Sequence, residues 1–118
     1  GAVHAAVLPY SAAFNGAAAP AAMRRIAVAL GVTGVPGEVD GSAAPAALWQ
    51  LGRRLGTPVS LVAAGYDPAL ADEVAAQLMA NPPVNPRAVS ADGVRDLLAA
   101  AAGGQIPAAP DLSSRPDP

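Results

Sequence analysis

Alanine-rich stretches, cut at short intervals by proline and glycine, constrain this chain more than any other feature. Apolar residues fill 53% of the 118 positions and alanine supplies half of them, while aromatics reach only 3%. Alanine is the strongest helix former and brings little area to a core. Such a chain folds by laying helices close together, not by filling a wide interior with bulky side chains. No segment alternates apolar with polar residues over strand length. The expected class is all-α, a helical bundle of about five helices.

The punctuation places those helices. The first is expected from Ala2 to Asn15, stopped by Gly16, with Pro9 bending or splitting it because proline lacks an amide donor. A second starts near Pro20 and ends at Gly31, with Met23, Ile26, Ala27 and Leu30 on one face. The glycine-rich stretch 31–41 reads as a loop, and Ser42 as the cap of a third helix. That helix has Leu48, Leu51 and Leu55 on one stripe and closes at Gly56. Residues 57–66 form a connector whose Val59–Val62 run packs inward. Asp67-Pro68 opens a fourth helix with Leu70, Val74 and Leu78 inward, ending before Asn81-Pro82-Pro83. Ser90 caps a fifth, with Val94, Leu97, Leu98 and Ala101 inward, running to Gly103-Gly104. Residues 1–104 make one domain, and the proline-rich stretch 105–118 is expected to be a disordered tail.

Composition also excludes several functions. The net charge is −2, every basic residue is arginine, and no basic block stands out, which argues against nucleic acid. There is no cysteine, hence no disulfide, no Cys-based zinc site and no thiol nucleophile. No apolar run reaches bilayer length and no signal-like segment stands at the start, so a soluble cytoplasmic protein without membrane partners is expected. No Gly-x-Gly-x-x-Gly follows a strand, so no phosphate cradle is expected. With one histidine, no metal site assembles from this chain alone. Glu38 and Asp40 fall in the loop, too unconstrained to form a working carboxylate pair.

Several segments carry a likeness. His4-Ala5-Ala6-Val7-Leu8-Pro9-Tyr10, followed by Phe14-Asn15, resembles the His-Ala-Val-Val-Leu-Pro-His and Phe-Asn segment of maleylacetate reductases, in the iron-containing alcohol dehydrogenase superfamily. The stretch 19–31 is similar to the family's Ala-Pro-x-Ala-x-x-Arg-Ile-Ala-x-Ala-Leu-Gly helix, and 48–61 to its Leu-Gly-x-Pro segment. Asn81-Pro82-Pro83-Val84-Asn85-Pro86-Arg87-Ala88-Val89 resembles its doubled Asn-Pro motif. The likeness spans roughly residues 2–102. It departs at Tyr10, where histidine often follows Leu-Pro, and at Ala88, where proline is usual.

The resemblance implies a C-terminal helical domain of the dehydroquinate synthase-like, iron-containing alcohol dehydrogenase fold, cut at its N-terminal side. Metal-dependent members carry a metal-binding histidine at the position just before Gly1 and commonly an asparagine where His4 stands. Histidine there favours the maleylacetate reductases, which reduce maleylacetate to 3-oxoadipate in aromatic compound degradation. It implies NADH or NADPH as cofactor, held mainly by an absent N-terminal domain, and a keto-dicarboxylate as substrate. A homodimer is the implied assembly of the full-length enzyme.

Such chemistry needs a hydride donor, groups for two carboxylates and a proton source. Histidine serves the last need because imidazole exchanges protons near neutrality. His4 is the candidate catalytic residue, and Arg87, with its planar fork, and Tyr10 are candidate substrate-binding residues. Each has a plainer reading. His4 as a hydrogen-bonded residue on a packed helix, Asn85–Arg87 as a rigid turn and Tyr10, Asn15 and Trp49 as packing groups explain the same residues. A metal-dependent alcohol dehydrogenase of the same superfamily, or a non-enzymatic helical interaction module, are the alternatives.

Overall fold

The computed structural model describes residues 1–32 and 41–107. Among these are five α-helices and no strand, as the alanine content predicts: α1 (Ala2–Asn15), α2 (Pro20–Ala29), α3 (Ala44–Leu55), α4 (Ala71–Ala80) and α5 (Ala91–Gly103). α1 lies in the middle, packed on α3 and on α5; α2 covers α3, and α4 covers α5. The result is a slab of 44 × 41 × 26 Å. None of the described helices is long and apolar enough to cross a membrane.

Small side chains make the contacts. Ala6, Ala27, Ala44, Ala75 and Ala101 are completely buried, whereas no large side chain among the described residues is. One cluster joins α1, α4 and α5 through Ala6, Tyr10, Leu61, Ala75, Val94 and Leu98. A second joins α1, α2 and α3 through Ala12, Met23, Ala27 and Ala44. Methyl-sized contacts let helix axes approach closely, and dispersion across many such contacts replaces burial of a few bulky groups.

Several local expectations are corrected. Pro9 neither splits nor ends α1, which runs unbroken through it. One missing amide donor is outweighed because packing against α3 and α5 holds the helix on both sides. Gly16 keeps right-handed helical angles and continues into a 3-10 turn, Gly16–Ala18. The break falls at Ala19, the residue before Pro20, which proline pushes out of the helical region. Ser42 does not cap α3. It lies within a 3-10 turn, Gly41–Ala43, and Ala43 is the N-cap, without a side-chain hydrogen bond. A Cβ at Gly41 would stand 2.8 Å from the Met23 Cβ and the Arg24 amide nitrogen, so this turn is set by close approach to α2.

Asp67 and Ser90 cap as expected, accepting from the amides of Ala69 at 2.9 Å and Gly93 at 3.0 Å. Asp67 opens a 3-10 turn, Pro68–Leu70, before α4 begins. Leu55 and Leu70, expected inward, are 68% and 43% exposed. Leu61 is buried while its neighbour Val62 is exposed.

Donors from three segments clasp the end of α5. The Leu61 amide donates to the Ala101 carbonyl at 2.9 Å, the Trp49 indole N–H to Gly104 at 3.1 Å and the Tyr10 hydroxyl to Gln105 at 2.6 Å. These serve carbonyls that the helix end leaves unpaired or that follow directly after it. Gly104 adopts φ +71°, and a Cβ there would meet Ser60 Cβ at 2.7 Å and the Val59 carbonyl at 3.1 Å. Gly104→Ala should therefore destabilise the fold by about 2 kcal/mol, read from the urea unfolding midpoint. An unchanged midpoint would show that the clasp carries no stability.

Candidate functional site

α1 carries candidate residues at both ends. His4 sits in its first turn, exposed and without a hydrogen bond among the described residues. Val3 and Leu8, 57% and 46% exposed, flank it. The hydrogen bond of the plainer reading is not formed among the described residues.

Tyr10 and Arg87 meet elsewhere. The segment before α5 folds back over the end of α1, where Asn85 Nδ2 donates to Asn15 Oδ1 at 2.7 Å and to the Arg87 carbonyl at 2.6 Å. The Arg87 amide also reaches Asn15 Oδ1, at 3.4 Å. The Arg87 guanidinium lies 4.2 Å over the Phe14 ring and donates to the Phe14 carbonyl at 3.3 Å. This is the rigid turn of one reading, with an exposed arginine fork at its tip. Beside it opens a cleft of about 400 Å³ bordered by Tyr10, Phe14, Arg87, Asp96, Leu97 and Gln105. A second, more apolar groove of about 260 Å³ lies between α1, α5 and the end of α4.

Ten helical residues separate His4 from Phe14, about 15 Å along the axis. Arg87 is held at the Phe14 end of α1, and Tyr10, which borders the same cleft, lies between that end and His4. Tyr10 is 4% exposed, and its hydroxyl is engaged by Gln105. Trp49 packs against the cluster around Tyr10, and Arg53 lies 5.0 Å from its ring centroid. Asp96 and Gln105 in the cleft had no sequence signal. An aspartate on a solvated helix face and a glutamine after a helix end are ordinary surface residues. Glu38 and Asp40, and residues 108–118 of the expected tail, lie outside the described residues.

Burial pushes the Tyr10 phenol above its ordinary 10.0, partly opposed by hydrogen bonding with the Trp49 side chain. The folded chain then holds this proton more tightly than the unfolded chain. Its contribution is complete below about pH 10 and is lost as pH rises through the raised value. Tyr10→Phe should abolish that alkaline component and lower stability at neutral pH by about 1 kcal/mol, measured by urea unfolding across a pH series.

Among the described residues, no three His, Cys, Asp or Glu side chains form a group that could hold a metal ion. Nor do the described helices supply a strand-to-helix phosphate loop. The residues present do not by themselves fit either group.

Comparison with known proteins gives a consistent result. Residues 1–102 match the model of the Fe-containing alcohol dehydrogenase family, C-terminal. The chain is 42% identical over 106 residues to maleylacetate reductase of Burkholderia cepacia, covering 89% of this chain and 27% of that protein. It is 41% identical to maleylacetate reductase 2 of Cupriavidus pinatubonensis, covering 90% and 28%. A crystal structure from Ralstonia eutropha JMP134, named for an alcohol dehydrogenase, superposes with a TM-score of 0.76 at 39% identity. It covers 89% of this chain and 28% of that one. The chain thus spans little more than a quarter of the length of these relatives.

Proposed function

The chain belongs to the Fe-containing alcohol dehydrogenase family, in which it corresponds to the C-terminal part, and on that premise we propose that it is the helical portion of a maleylacetate reductase. Identity of 42% and 41% to two proteins of that name supports the reading. The observation that carries it is His4, an exposed imidazole without a hydrogen bond among the described residues, between exposed Val3 and Leu8 in the first half of α1. An apolar rim around a free proton donor suits a wall that closes over substrate against the rest of the enzyme.

NADH or NADPH, bound mainly outside this chain, would supply the hydride. Hydride addition to the double bond conjugated with the keto group drives charge onto the carbonyl oxygen as an enolate. His4 would hydrogen-bond to that oxygen or deliver a proton to the adjacent carbon, taking a replacement proton from water, which completes 3-oxoadipate. Substrate contact is assigned to His4, because Arg87 and Tyr10 border a cleft further along α1.

His4→Ala in the full-length protein should lower maleylacetate-dependent NADH oxidation by roughly 10²–10⁴-fold. The exposure of His4 means that the melting temperature should stay near that of the parent. Unchanged turnover would rule out the catalytic role. Residues 1–118 alone should show no such oxidation, and turnover by the isolated chain would contradict the division of labour. The structural relative named for an alcohol dehydrogenase favours one second reading, a metal-dependent enzyme acting on simple alcohols. Metal content and alcohol oxidation by the full-length protein separate the two.

A further inference from the structure

The cleft beside Arg87 is bordered by two opposite charges that do not pair. Arg87 and Asp96 both line it, both are exposed, and Asp96 has no ion pair among the described residues. Arg87 is held in place by the Phe14 ring and carbonyl, which engages one guanidinium nitrogen and leaves the others for a ligand. Phe14, Leu97, Ala100 and Ile106 add apolar wall to the same cleft. The volume of about 400 Å³ falls within the range of small-molecule sites.

A pure anion would meet Asp96, and a pure cation would meet Arg87. A zwitterion with an apolar body satisfies both charges and the walls together. We propose that this cleft binds an α-amino acid with a bulky apolar side chain, its carboxylate on Arg87, its ammonium on Asp96 and its side chain against Phe14 and Leu97. The cleft meets α1 about 9–15 Å along its axis from His4, and the proposal does not rest on the reductase reading.

Binding of L-phenylalanine to the full-length protein, followed by calorimetry, tests this, with 3-phenylpropionate and phenethylamine as probes that each lack one charge. L-phenylalanine should bind in the millimolar range or tighter, and each single-charge probe at least about tenfold more weakly. Asp96→Asn, on an exposed helix face, should weaken L-phenylalanine about tenfold and leave 3-phenylpropionate unchanged or tighter. Arg87→Lys should weaken L-phenylalanine and 3-phenylpropionate by similar factors. Absence of saturable L-phenylalanine binding overturns the proposal. So does binding that ignores Asp96→Asn, or 3-phenylpropionate binding as tightly as the amino acid.

Discussion

Close approach at alanine holds this molecule together. Ala6 faces the interior shared with α4 and α5, and Ala12 the interior shared with α2 and α3. Because both side chains stop at a methyl group, α1 lies against α3 and α5 at once and becomes the shared spine of two small cores. Each alanine buries little area, so no single residue dominates stability. The same economy of side-chain volume keeps the slab only 26 Å deep.

Polar contacts then distinguish the ends of that spine. At its C-terminal end, Asn15 Oδ1 accepts from Asn85 and Arg87, and Phe14 carries the Arg87 guanidinium on its ring. One turn earlier, Tyr10 reaches the chain just past α5. Among the described residues the N-terminal end makes no comparable side-chain hydrogen bond, and His4, Val3 and Leu8 are exposed there. One end of α1 is tied into the domain by polar contacts, and the other presents an exposed imidazole beside exposed apolar side chains. That asymmetry separates a candidate catalytic surface from a candidate ligand cleft within a single helix.

Helix positions and most boundaries were legible because their causes are local. Asp67 and Ser90 cap an amide two or three residues away, and Ala19 leaves the helical region because Pro20 follows. The errors share one cause. The period of Leu48, Leu51 and Leu55 says that they lie on one side of α3, but not how much of that side a neighbour covers, and Leu55 is left exposed. Ser42 has the chemistry of a cap, yet the turn it occupies is shaped by contact of Gly41 with α2. Pro9 should interrupt a solitary helix and does not interrupt one packed on two sides.

By itself the sequence determined the helical class, the segments that become helices and their side-chain caps, because propensity and capping act within a few residues. It also marked His4, Tyr10 and Arg87 by residue type and family likeness. Only the tertiary structure decided which of them meet. Arg87 reaches Phe14 across 73 residues and Tyr10 reaches Gln105 across 95. Contacts over such separations depend on how whole helices stack, so the cleft and the placing of Asp96 beside Arg87 in its lining could be seen only once α1 had found α3 and α5.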